Sequence, residues 1–250
     1  MGNTKLIESS LDMKLEVGKG LKEDDKLCRY FSFEAFVNLL ETETLTFTKV
    51  SNWEDPWENE LSRAKIRSNG ELKDPLYGAD QYFFGQCWTE KTESDAMWRI
   101  YSENKSGVKV KAKIKNFETV SNVKIIGIEK VVYFSDWREL PKLTENDKSR
   151  YQSAKYKRIA FSHEEEVRLF VHPQFTTDGV DYHEASHINL PVDIAQLICS
   201  VEIDPRAPLW VENMIKLYVN KVLPEVNCGK SKLYDKNNEF QIIHEYVPVK

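Results

Sequence analysis

Two acids and an arginine stand at alternate positions where Glu164-Glu165-Glu166-Val167-Arg168 runs straight into the apolar Leu169-Phe170-Val171. A β-strand here places Glu164, Glu166 and Arg168 on one face and Glu165, Val167 and Leu169 on the other. Burying such charges is costly unless they pair with one another or line a pocket. The stretch therefore reads either as a structural ion-pair strand or as one wall of a polar site.

Other side chains could join that wall. Trp53-Glu54-Asp55-Pro56-Trp57-Glu58 reads as a helix start, with Asp55 as cap and Pro56 in the first turn, or as a pocket loop offering Asp55, Trp57 and Glu58. Met97-Trp98-Arg99-Ile100-Tyr101 has helical spacing; such a stripe is commonly core, although a tyrosine hydroxyl can still reach a site. His183-Glu184-Ala185-Ser186-His187 satisfies the letter of a zinc-protease helix. Its flanks lack helical periodicity, and only His244 remains downstream as a third ligand. No phosphate-binding glycine loop, dinucleotide fingerprint or serine-nucleophile elbow occurs. Cys87, in an apolar strand-like context, reads as a structural thiol, and no metal is expected.

These groups need a scaffold of matching kind. Lys26–Phe31 and Thr44–Val50 read as strands around a helix from Phe33 that Ser32 caps. A helix follows over Trp57–Ile66, then a loop over Ser68–Asp80, a strand over Gln81–Thr89 and a helix capped by Thr92 or Ser94. Gly107–Ile114 alternates cleanly as a strand. One or two strands lie in Val120–Phe134, a helix over Lys148–Ile159, a buried strand over Leu197–Ile203, an amphipathic helix over Trp210–Val222 and a last strand over Glu239–Val247. The expectation is an N-terminal arm over residues 1–25 and a single mixed α/β domain over 26–250. Its sheet is mixed and mostly antiparallel, with about eight strands and about five helices.

Composition narrows the function classes. The 250 residues are 41% hydrophobic and 30% charged with net charge −5, which argues against bulk binding to nucleic acid or anionic membrane without excluding a local basic patch. No apolar run approaches a membrane span, and the N-terminus has no signal-peptide core. The four cysteines are widely spaced, consistent with buried thiols in the cytoplasm.

In order along the chain, Arg29-Tyr30, Asp55-Pro56-Trp57-Glu58, Cys87-Trp88-Thr89, Met97-Trp98-x-x-Tyr101, Gly107-Val108 and Glu164-x-Glu166-x-Arg168 resemble a widespread bacterial domain family. Its pattern is an Asn-Asp-Pro-Phe-Glu-like loop, a Met-Trp-x-x-Tyr helix and a late Glu-x-Glu-x-Arg strand. Glu54 departs from its asparagine and Thr89 from its serine. A fainter resemblance is to ADP-ribosyltransferase-like folds, with Arg29, the Phe47-Thr48 strand and Glu164-x-Glu166 in the three positions of that site. This resemblance implies NAD as substrate, Arg29 and Tyr30 near the phosphates, Trp98 or Tyr101 lining the pocket, and Glu166 as catalytic carboxylate with Glu164 assisting. Arg168 would neutralise Glu166 or complete the pocket.

The leading expectation is thus a cytoplasmic NAD-consuming or ADP-ribosyltransferase-like enzyme, of the toxin or phage-defence kind, with a protein or nucleic-acid acceptor. Two alternatives stand beside it. One is a non-catalytic module that binds a nucleotide, small molecule or protein; the other is a phosphoesterase or nuclease assisted by a metal on Asp55, Glu58 and Glu164.

Overall fold

Alternating apolar and polar residues build the strands that make up most of the regular structure, and the turns between them fix which strands meet. The computed structural model describes residues 13–59, 66–68, 71–73, 82–145, 147 and 149–236. The strands are β1 (Lys14–Val17), β2 (Lys26–Phe31), β3 (Thr44–Lys49), β4 (Ile66–Ser68), β5 (Glu71–Lys73), β6 (Phe84–Thr89) and β7 (Val108–Lys113). There follow β8 (Ile125–Lys130), β9 (Val132–Phe134), β10 (Tyr156–Arg158), β11 (Glu166–Val171), β12 (His187–Pro191), β13 (Ile198–Ile203) and β14 (Asn227–Lys230). The α-helices are α1 (Phe33–Thr42), α2 (Asp95–Tyr101), α3 (Leu140–Thr144), α4 (Ile194–Leu197) and α5 (Leu209–Val222). The chain is a single mixed α/β domain.

Ten strands form one sheet in the order β1-β8-β11-β6-β2-β7-β13-β14, with β12 and β3 branching from β6. Only the β1–β8 and β13–β14 pairs of this sheet are parallel. The branch is the feature that positions the site. Along one edge β6 pairs with β11 through all six residues. Along its other edge β3 pairs with Phe84 and Gly85, and β2 meets only Thr89. The sheet forks at Gln86, Cys87 and Trp88. Gln86 braces the fork: its side-chain amide donates to the Thr46 carbonyl (2.9 Å) and its carbonyl oxygen accepts from the Trp88 indole (2.7 Å).

One face of the sheet carries the core. Leu27, Val108, Val110, Ala112, Val167, Leu169, Val201 and Ile203 point into it and meet α1, α4 and α5. The opposite face is polar: β-pairing sets Cys28, Lys111, Thr89, Cys87, Glu166 and Arg168 on it. α2 lies across this face, Trp98 packing edge-on to Tyr30 at 4.8 Å. Ser32 and Ser94 cap α1 and α2 as their positions imply.

Several elements differ from the sequence expectations. Glu165 adopts φ +43° and ends a 3-10 turn over Ile159–Glu164, so the strand begins at Glu166 and Glu164 stands before it. The helix expected over Lys148–Ile159 is instead a 3-10 turn at Gln152–Ala154 followed by β10. The Val132 N–H bonds the Lys155 carbonyl, and β10 then pairs with β9. Only a 3-10 turn, Pro56–Asn59, represents the helix expected from Trp57, while residues 60–65 lie outside the described ones. The expected last strand over Glu239–Val247 also lies outside them. His183 sits in an exposed loop and His187 opens β12, so the two histidines do not share a helix. Lys14–Val17, within the stretch read as an arm, forms the edge strand β1.

Gly85 serves a close approach. A Cβ there would run into the Trp53 indole, which lies across β6 and reaches Arg168. Gly85→Ala is expected to destabilise the protein by about 1–3 kcal/mol and to shift tryptophan fluorescence as Trp53 is displaced. Unchanged denaturant unfolding and emission would contradict this packing.

Candidate active site at the fork of the sheet

The Arg168 guanidinium is fully buried at the centre of a charged cluster. Its Nε donates to Glu166 Oε1 (3.0 Å), and its Nη2 to Glu58 Oε1 (2.7 Å) and Glu166 Oε2 (3.1 Å). Nη1 donates to the Ala154 carbonyl (2.6 Å), and the Trp53 ring covers the flat face at 4.3 Å. Burial works against this charge, but Glu166 and Glu58 outweigh it and raise the pKa further above the ordinary arginine value.

A second cation completes the cluster. Lys157, on β10, places Nζ at 2.7 Å from Glu164, 3.0 Å from Glu166 and 3.2 Å from Glu58. Burial lowers its pKa, yet Glu166, Glu58 and Glu164 together hold it above the ordinary lysine value. Lys157 and Arg158 both lie against the Phe161 ring. Glu164, although off the strand, converges on the same point as Glu166 because Lys157 bridges them and the Thr89 hydroxyl donates to its carbonyl. Burial alone would raise the Glu166 pKa. The Arg168 charge and hydrogen bonds, with Lys157, reverse this and bring it down to about 2. The Glu166 backbone N–H donates to the Tyr133 hydroxyl (2.9 Å).

Beyond Glu166 the face opens at the fork. Cys87 lies directly opposite Arg168 across the β11–β6 pair and is exposed. Local desolvation and then the Glu166 charge push its thiol well above its ordinary pKa, so it stays protonated. Tyr101, at the end of α2, is partly exposed and stacks on Tyr30 with ring centroids 6.4 Å apart. Burial and then Glu164 raise its pKa to about 12. Arg29 lies on the β2 edge that the fork leaves without a β6 partner; its backbone is in register with Val110, and its guanidinium has Cys87 and Tyr101 as titratable neighbours. Its guanidinium lies over the Phe31 ring at 4.9 Å and has no hydrogen bond or ion pair with any described residue. Burial lowers its pKa to about 10. Pairing through Thr89 sets Cys28, beside Arg29, two strands from Glu166, a Cα separation of roughly 10 Å. Cys87 and Tyr101 thus neighbour Arg29 on one side and the Glu164 and Glu166 carboxylates on the other.

The remaining expected residues fall elsewhere. Trp98 is fully buried, its indole N–H on Glu93 (2.6 Å), and Tyr30 is buried beside it, so neither presents a surface to the opening. The Tyr30 hydroxyl has no hydrogen-bond partner among the described residues. Asp55 accepts from Arg158 (3.0 and 3.3 Å), and Trp57 is exposed beside it. Asp55, Glu58 and Glu164, the alternative metal set, are each neutralised by a protein cation. The Lys157 ammonium occupies the point on which Glu58, Glu164 and Glu166 converge. Among the described residues no group of acids, histidines and cysteines is arranged to hold a metal ion, and no helix is long and apolar enough to cross a membrane.

Lys157 is the functional residue that sequence reasoning missed. Its signal is indirect: two acids flank one arginine in Glu164–Arg168, and burying them requires a further cation.

Comparison with known proteins adds a family match. A family model described as a protein of unknown function, DUF2971, matches residues 97–169. That span opens on the Met97–Tyr101 motif and closes just after Arg168. No curated protein matches the chain. Among solved structures, Thermus sp. 2.9 DarT in complex with NAD+ is 11% identical, with 84% of this chain and 97% of that one covered and a TM-score of 0.39. The same protein in complex with ADP-ribosylated ssDNA is 12% identical, with 84% and 96% covered and a TM-score of 0.40. Identity and TM-score are both too low for these likenesses to assign a residue or a substrate.

The acid dependence of stability tests the cluster. Glu166 has a lower pKa folded than unfolded, so its contribution is complete above about pH 4.5 and is lost as pH falls toward 2. A loss on the order of 3 kcal/mol is expected across that window. Chemical denaturation at stepped pH should show it, and Glu166→Gln should flatten this limb. An equally steep limb in the variant would contradict the assignment.

Proposed function

We propose that the chain is an NAD-consuming, ADP-ribosyltransferase-like enzyme whose dinucleotide enters at the fork. The observation that carries this reading is Arg29: a desolvated guanidinium with no acid partner among the described residues, sharing Cys87 and Tyr101 as neighbours with the ionised Glu166 carboxylate. Holding a desolvated cation unpaired costs stability, and such a group is suited to an anion supplied from solution. A pyrophosphate satisfies its planar, bidentate fork. Tyr101 offers an exposed ring edge to a flat base or nicotinamide.

Chemistry at the carboxylates follows from their field. As the bond between ribose C1′ and the nicotinamide nitrogen breaks, its electron pair leaves with nicotinamide and positive charge grows on the ribose. Glu166, held ionised and fixed in direction by Arg168, stabilises that charge without reorganising. Its bond to Lys157 is the one a ribose hydroxyl can share, because Lys157 keeps Glu164 and Glu58 as partners. An acceptor nucleophile, from a protein, a nucleic acid or water, then attacks C1′. On this reading the working unit is the single α/β domain over 26–250, in the cytoplasm of a bacterium.

A second reading, a non-catalytic nucleotide-binding module, is favoured by one feature: both Glu166 oxygens already accept hydrogen bonds from Arg168. In that case the fork binds the dinucleotide and leaves it intact.

Arg29→Gln separates binding from folding. Loss of one or two charge-assisted bonds of about 1.5–3 kcal/mol each should weaken NAD+ binding at least tenfold by calorimetry. The melting temperature should hold or rise, because a desolvated unpaired charge is removed. Unchanged affinity in a folded variant would remove Arg29 from the site.

A further inference from the structure

One corner of backbone beside the carboxylates is held more firmly than the end of a strand requires. Glu165 lies in the left-handed region, at φ +43° and ψ +54°, a conformation unfavourable for any residue with a Cβ. Such a conformation persists only where the surrounding structure over-determines it.

Three successive residues where β6 ends supply the constraint. The Lys91 ammonium donates to the His163 carbonyl (3.4 Å), the Thr89 hydroxyl to the Glu164 carbonyl, and the Glu90 N–H to the Glu165 carbonyl (3.1 Å). Lys91 also pairs with the Glu165 carboxylate at 2.9 Å. The Lys91 N–H donates to the Thr89 side-chain oxygen (2.9 Å), which leaves the hydroxyl proton for Glu164. Only the Glu90 bond runs between two backbones, as in a strand ladder; the others come from side chains. Thr89 is buried and stands directly opposite Glu166 in the β6–β11 pairing.

We propose that Thr89 and Lys91 are positioning residues for Glu164. They clamp Glu165 in the left-handed region, so that Glu164, which stands before the strand, turns back to share Lys157 with Glu166. In an unbroken strand the Glu164 Cα would lie about 7 Å from that of Glu166 along one straight edge. The corner instead sets both carboxylates on one ammonium, at 2.7 and 3.0 Å. The effect of the clamp on turnover rests on the NAD-consuming reading of the fork; the fixing of the corner does not.

Amide hydrogen exchange of the full chain reads the corner without any ligand, and nicotinamide release reads its consequence. Thr89→Val keeps the shape of the side chain and removes the hydroxyl. It should speed exchange of the Glu90 and Glu166 amides at least tenfold, because one hydrogen bond is lost and its acceptor is stranded. Thr89→Ser keeps the hydroxyl and should exchange as the wild type does. Adding Glu165→Gly to Thr89→Val should slow exchange again, since glycine takes the left-handed region freely. Lys91→Met, at a half-buried position, should speed exchange about threefold and keeps the test open if Thr89→Val does not fold. Nicotinamide release by Thr89→Val should fall at least tenfold with KM within about twofold, and Thr89→Ser should recover most of it. Exchange as slow in Thr89→Val and Lys91→Met as in the wild type, or no slowing in the double variant, would overturn the clamp. Fast exchange with full turnover would overturn its role for Glu164. A wild type that releases no nicotinamide would remove the reading of the fork, and the exchange rates would still decide the clamp.

Discussion

The buried Arg168 guanidinium is the interaction on which the polar half of this molecule depends. It sits on a central strand with no access to water, and every direction of its fork is met by protein: Glu166, Glu58 and the Ala154 carbonyl, with Trp53 over its plane. Desolvating an ion costs several kcal/mol, so the arrangement holds only when these bonds form together. They tie β11 to the Pro56–Asn59 turn and to the segment that leads into β10. Three stretches of chain distant in sequence are therefore fixed by one side chain. Removing a partner would strand a charge in the interior, whereas a well-packed apolar replacement of the whole set would cost far less.

The same chemistry explains the contrast across the fork. On one side acids and bases are matched almost atom for atom. On the other, the Arg29 guanidinium lies over the Phe31 ring and has no hydrogen bond or ion pair with any described residue. The matched side fixes direction; on the other side a guanidinium stands without an acid partner among the described residues. Gln86 maintains the gap between them by bracing β3 to β6 where no strand pairing exists. Cys87, protonated and exposed, lines the gap without adding charge.

Much of this was legible in residue order, because its causes are local. The alternation of Val108, Val110 and Ala112 against Lys109, Lys111 and Lys113 specifies β7 and its buried face. Ser32 and Ser94 mark helix starts, and Arg29 lies on its strand. What the sequence concealed is non-local. Glu165 in the left-handed region breaks the period-two reading of Glu164 and Glu166, and no neighbouring glycine signals it. Lys157 lies in a stretch whose Tyr151 and Ala154 are spaced as on a helix, yet pairing with β9 and three distant carboxylates draw it into a strand. Trp98 and Tyr101 share a motif but divide between core and opening, since one packs beneath the helix and the other ends it. That Arg29 lacks a partner among the described residues follows from tertiary packing and not from residue order.

An ionised, clamped carboxylate and a guanidinium unpaired among the described residues are proposed to act together on a dinucleotide. Proton NMR of NAD+ incubated with the full chain tests it most directly, since free nicotinamide has ring signals distinct from those of the bound base. The account predicts that nicotinamide signals grow with time and with enzyme concentration, and that a folded Glu166→Gln protein produces none. Saturable NAD+ binding with no release of nicotinamide, alone or with protein and nucleic-acid acceptors added, would contradict it.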